Sequence, residues 1–165
     1  MFIVEVIIML VLVFIVAVII NGIEDYHNKN SLIKLSFVYN VGGLKLPIVT
    51  FVNNGQSFNF IIDTGSTLSI IDSNILNKLA YVKTDTVGNA YGFTGEVIPT
   101  EYANIEISYE DFKFEDEFQI IRMEAFDNIK EVHDIEIAGI LGSTFLKRYD
   151  FTIDYTDLTI FTKKR

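Results

Sequence analysis

The sequence has no cysteine. That excludes disulfides, thiolate metal sites and thiol catalysis. Bases are scarce, with 13 Lys and Arg against 22 Asp and Glu, and they form no stripe. An acidic chain without a basic patch is a poor match for a phosphate backbone, so no nucleic-acid partner is expected. The only two histidines, His27 and His133, lack metal-ligand spacing. The acids at Glu101, Glu106, Glu110, Asp111, Glu115, Asp116 and Glu117 follow no calcium-loop pattern and are expected to form a solvated hairpin face. No metal and no cofactor are expected. Long apolar runs are missing with one exception, so this is not a multi-span membrane protein. There is no internal repeat and no low-complexity tract.

The exception is the N-terminus. Residues 1–20 hold 19 hydrophobic residues and one charge, Glu5. The remaining 145 residues are 43 % hydrophobic and carry all 13 bases with 21 acids, a formal charge of −8. The mean hydropathy of +0.34 is therefore an average over two unlike parts. Residues 1–20 approach the roughly 20 residues that a bilayer-crossing helix needs. A secretory signal is the rival reading, but no Lys or Arg precedes the run, and Asn21-Gly22-Ile23-Glu24 offers no Ala-x-Ala cleavage pattern. The expectation is an uncleaved single-pass anchor that meets the lipid bilayer through residues 2–20. Lys29 and Lys34 alone follow it, which leaves the side of the membrane open. Residues 21–32 read as a polar tether and 33–165 as one domain, long enough to bury a core without staples.

Within that domain the pattern is β. Strand character runs through Ile33–Tyr39, Leu46–Val52, Ser57–Ile62, Thr67–Ile71, Ala103–Tyr109, Phe112–Phe114, Phe118–Met123 and Ile135–Leu141, with shorter strand character at Val97–Ile98. Asn53-Asn54-Gly55 signals a tight hairpin. Ser73 is placed to cap a short helix through Tyr81, with Ile75, Leu76 and Leu79 on one face. Ser143 or Thr144 starts a second one through Tyr149, and Phe151–Tyr155 with Leu158–Thr162 forms a closing hairpin. Many short strands with one or two short helices indicate a small, mainly β barrel or sandwich.

One stretch carries chemistry: Phe60-Ile61-Ile62-Asp63-Thr64-Gly65-Ser66. A strand delivers an acid into an apolar setting that disfavours its charge. A glycine then allows close backbone approach, and two hydroxyls stand ready to brace the carboxylate. Alone, the same residues also make an ordinary strand-ending turn. Far downstream stand Ile140-Leu141-Gly142, then Ser143-Thr144-Phe145-Leu146, then Ile153-Asp154-Tyr155.

Taken together and in this order, these stretches resemble the retropepsin-like aspartic proteases, over about residues 33–164. The resemblance implies a small retropepsin-like (acid protease) β-barrel, here preceded by the transmembrane helix. It implies Asp63 as the catalytic acid, supported by Thr64, Gly65 and Ser66, with Ile140, Leu141 and Gly142 packed behind. It also implies a flap, for which Tyr91, Gly92, Phe93, Thr94 and Gly95 lie in the matching interval. An ordinary Gly-rich turn is the equal alternative there. The chain has one Asp-Thr-Gly; Asp72, Asp150, Asp154 and Asp157 lack a following Thr-Gly. A site of two carboxyls then requires a homodimer with Asp63 from each copy on the two-fold axis. Such a pair shares a proton and activates a water against a peptide carbonyl. The implied activity is endopeptidase hydrolysis of a peptide or protein substrate, in a membrane setting. The alternatives are a catalytically silent protease-like module for dimerisation or peptide binding, and a structural membrane protein with a coincidental Asp-Thr-Gly.

Overall fold

In the computed structural model, which describes residues 13–22, 32–91 and 95–163, Asn54 and Gly55 both take positive φ, 48° and 77°. That is the backbone a two-residue hairpin requires. It joins β2 (Ile48–Asn53) to β3 (Gln56–Ile62) with Asn53 opposite Gln56. Strand alternation in β2 sends Val49, Phe51 and Asn53 inward. Asn53 is buried yet satisfied: its amide donates to the carbonyls of Ala80 and Glu106 at 2.9 and 2.8 Å, and its oxygen accepts from the Ala80 N–H at 2.7 Å.

The main sheet runs β2-β3-β8-β4-β7-β6-β5, where β4 is Ile70–Asp72, β5 Val82–Tyr91, β6 Val97–Tyr109, β7 Phe112–Ile121 and β8 Ile137–Leu141. A further pairing of Val52 with Ser108 brings β6 back to β2. Six strands thus close into a barrel, and β5 lies outside it against β6. β8 threads the centre, parallel to β3 and antiparallel to β4. Phe51, Phe60, Phe118 and Phe145 are fully buried inside. Edge-on ring contacts link them in part, with Phe51 and Phe60 centred 6.0 Å apart. Each such ring contributes about 1.5–3 kcal/mol by leaving water. Ile48, Ile61 and Ile137 of the barrel strands form a further buried cluster with Phe126. A separate sheet, β1-β10-β9, consists of Leu32–Ser36, Thr159–Lys163 and Thr152–Asp154. The expected closing hairpin is therefore present, and its turn is held by Asp154 accepting from the N–H groups of Thr156 and Asp157.

The mainly β barrel with short helices is as expected, but several elements differ. The helix expected from Ser73 to Tyr81 shrinks to a 3₁₀ turn at Leu76–Lys78. Side chains take the backbone groups there: Asp72 accepts from the Asn74 N–H, and Asn53 holds both sides of Ala80. A longer helix stands where none was expected, α2 (Glu124–His133), which buries only Phe126. Helix α3 (Ser143–Arg148) lies where the sequence indicated.

The chain divides into two compact units, Met1–Ile33 with Lys163–Arg165, and Lys34–Thr162. In the first, residues 13–22 are helical (α1) and exposed throughout. Among the described residues no helix is long and apolar enough to cross a membrane. Most of the anchor expected over residues 1–20, and most of the tether over 21–32, lies outside the described residues. Residues 21–22 continue the helix, and Leu32 already belongs to β1.

Candidate active site

The apolar end of β3 pairs in parallel with β8, so that Ile62 faces Leu141. One residue on, the Asp63 N–H donates to the Leu141 carbonyl at 3.1 Å. The Asp-Thr-Gly and Ile-Leu-Gly stretches are thereby neighbours. From Asp63 the chain turns sharply: the Ser66 N–H reaches the Asp63 carbonyl at 3.3 Å, and the Gly65 N–H reaches Asp63 Oδ1 at 2.8 Å. Helix α3 starts against this loop. Its first N–H groups, which no helical carbonyl can satisfy, go to loop carbonyls: Ser143 to Ser66 at 2.7 Å and Thr144 to Thr67 at 3.1 Å.

Two glycines let the layers close. A Cβ on Gly142 would lie 2.4 Å from the Leu68 carbonyl oxygen, and one on Gly139 would lie 2.2 Å from that of Ile70. Both obstacles are backbone and cannot swing away. Gly142 is thus a packing residue behind the loop, with Leu141 fully buried and Ile140 half-buried between β3 and β4.

Asp63 itself is half-buried, and Thr64 and Gly65 are exposed. The sequence led us to expect an acid enclosed in an apolar interior. The single chain instead leaves the carboxyl at the barrel rim, because β3 ends at Ile62 and the turn carries Asp63 outward. Ser66 does not meet the carboxylate either; its hydroxyl donates to the Leu68 carbonyl at 2.8 Å. The Gly65 N–H takes that place. No group of three or more His, Asp or Glu among the described residues is arranged to hold a metal ion.

A groove of about 610 Å³ runs beside the loop. Its near wall is Gly65, Ser66, Thr67 and Leu68, and its far wall is Asn89, Ala90, Tyr91 and Ile98 from the β5–β6 hairpin, with Ile121 and Met123 at its end. Of the candidate flap, Tyr91 ends β5 and Gly95 takes φ 84°, while Gly92, Phe93 and Thr94 lie outside the described residues. On the other side of the loop, Thr64 lines a cavity of about 430 Å³ with Ser143, Leu146 and Phe151.

Two acids escaped the reading of the sequence. Asp72 is buried at the end of β4 and receives the N–H groups of Asn74 and Met123 and the Arg122 guanidinium. Asp116 was expected on a solvated hairpin face, yet it is 4 % exposed. The signal was available: Phe114, Asp116 and Phe118 alternate along β7 and so share its inward face. Burial pushes the Asp116 carboxyl above the usual carboxylate range, against the lowering influence of Ser69 and Arg148. Arg148, itself exposed, is its ion-pair partner at 2.7 Å. His133 is half-buried, with Nδ1 2.7 Å from the Gly42 carbonyl.

The aspartyl protease family profile matches residues 49–145, which runs from β2 through the loop to α3. The chain belongs to the aspartyl protease family. This agrees with the retropepsin-like resemblance of the two motifs. A solved structure of the EIAV protease complexed with the inhibitor HBY-793 is similar at 17 % identity and a TM-score of 0.47, covering 67 % of this aspartyl protease-family chain and 92 % of that one. No curated protein matches the chain.

Proposed function

We propose that this family member is an aspartic endopeptidase active as a homodimer, with Asp63 of each copy contributing one carboxyl to a shared site. The observation that carries the reading is the placement of Asp63. It sits half-buried at the rim, followed by exposed Thr64 and Gly65, and the groove of about 610 Å³ begins two residues on, at Gly65. One chain supplies one such acid. Two loops meeting rim to rim bring their carboxyls together and exclude water from them. The pair then shares a proton, because two adjacent carboxylates repel. The ionised partner takes a proton from a held water, which attacks the peptide carbonyl. The protonated partner polarises that carbonyl and later protonates the leaving amine. Thr64 braces the opposing loop, and the Gly65 N–H holds the Asp63 oxygen in place.

The membrane belongs to the same reading. A single-pass anchor over residues 2–20 confines two copies to one plane and raises the effective concentration for pairing. Substrates are then peptides or proteins at or near that surface.

The test is peptide-library hydrolysis across pH by wild type and Asp63→Asn, with sedimentation to determine the oligomeric state. Wild type is expected to cleave as a dimer, and Asp63→Asn to fold and pair but not cleave. Full activity in Asp63→Asn removes the assignment. Peptide binding without cleavage by wild type moves the reading to a silent recognition module.

A further inference from the structure

Asp116 is a buried acid that the proposed chemistry does not use. Its two oxygens go to different places. Oδ2 accepts from the Ser69 hydroxyl at 2.7 Å, and Oδ1 pairs with Arg148 Nη1 at 2.7 Å. Ser69 is fully buried and lies six residues beyond Asp63, where the loop enters β4. While its hydroxyl donates to Asp116, its oxygen faces the Gly142 N–H at 3.4 Å, and one hydroxyl can fill both roles. Gly142 is the residue whose missing side chain lets β8 press against Leu68, and its neighbours Leu141 and Ser143 hold Asp63 and Ser66. Arg148 closes the far end of α3, where it also donates to the Glu115 carbonyl at 3.1 Å. One carboxylate thus reaches both ends of the element that backs the Asp63 loop, directly at Arg148 and through the Ser69 hydroxyl at Gly142.

We propose that Asp116 is a positioning residue for the active-site loop: through Ser69 it sets the approach of Gly142, and through Arg148 it seats α3, so that the Asp63 carboxyl is held at the rim in register with its twin. The inference rests on the reading of Asp63 as catalytic. The charged groups facing Asp116 are Arg148 from α3 and Glu117 from its own strand, while β6 sets Ile105 opposite it and β4 pairs with β7 through Ile70, Ile71 and Asp72, the last of them held by Arg122 at the strand end. Because the folded carboxyl titrates above its unfolded value, its favourable contribution to stability is present below the unfolded pKa and is lost as pH rises through the folded one.

The experiment uses the full chain in detergent micelles. Steady-state peptide cleavage is measured against pH for wild type, Asp116→Asn, Ser69→Ala and Ser69→Thr, and the Gly142 amide is followed by NMR over the same pH range. In wild type the Gly142 amide should titrate with a midpoint above the usual carboxylate range, and in Asp116→Asn it should be flat. Ser69→Ala should lose about tenfold or more in kcat with KM little changed, as a displaced reacting group does, and Ser69→Thr, which restores the hydroxyl, should recover it. A Gly142 amide indifferent to pH in wild type, or wild-type kcat in Ser69→Ala, overturns the proposal. If Asp116→Asn does not fold, Ser69→Ala decides, since it leaves the Arg148 pair in place. If wild type does not cleave at all, the Asp63 reading fails, and the amide titration still tests the Asp116 linkage.

Discussion

The two walls of the groove are built on opposite plans. The Asp63 loop is held from behind at every step: Asp63, Ser66, Thr67 and Ser69 each exchange a backbone hydrogen bond with β8, α3 or β7. Among the described residues, β5 pairs along the hairpin with β6. β5 has no outer neighbour in the sheet, and Val87 and Tyr91 are 78 % and 76 % exposed. Its register against β6 also slips between Lys83 and Val87, a bulge that bends the strand on the way to the tip. Chemistry requires groups fixed to a fraction of an ångström, whereas admitting a peptide requires a wall that yields. The same fold provides both by backing one segment and leaving β5 at the edge of the sheet.

That contrast can be broken at its rigid end. Gly142→Ala drives a Cβ into the Leu68 carbonyl and should cost about 3 kcal/mol of stability by chemical denaturation, with peptide cleavage lost as the loop lifts. Wild-type stability in this variant would mean that the loop is less firmly backed than its contacts indicate. At the exposed wall the signature should reverse. Tyr91→Ala, on an exposed ring lining the groove, should leave Tm unchanged but raise KM about threefold to tenfold, the scale of one aromatic contact. A large fall in Tm would show that the hairpin supports the barrel. The smallest effect is expected at the base of the hairpin, where Lys83 meets Glu101 at 2.8 Å in the open. Glu101 raises the Lys83 pKa, so the pair contributes below the unfolded lysine value and fades only in strong alkali. Lys83→Met should therefore leave the neutral-pH melting curve nearly unaltered, as exposed ion pairs do.

What the sequence disclosed follows the same division. The rigid half was legible because its constraints are local or leave fixed spellings: Asn54-Gly55 for the hairpin, Phe60-Ile61-Ile62 before Asp63, and Gly142 ahead of α3. The half at the sheet edge was not. β5 reads as Lys83-Thr84-Asp85-Thr86, polar and without alternation, and is a strand only because β6 lies beside it. Helix α2 escaped notice for a related reason, since Phe126 alone is buried and no side chain caps its start. Asp116 was hidden by company: five of its acidic neighbours do face water, and only counting by twos along β7 separates it from them. Asp63 was overburied in expectation because the apolar run before it describes the strand, while its own place is decided by the turn that follows.

The parallel pairing of β3 with β8 has a consequence in time as well as in space. Thr67 and Thr144, which meet across the loop, are 77 positions apart in the chain. Contacts that distant form slowly, because a long stretch must be ordered before they repay it. A ribosome making this protein exposes the Asp63 strand well before its partner exists. During synthesis the Asp63 loop therefore lacks its backing until β8 and the start of α3 have emerged.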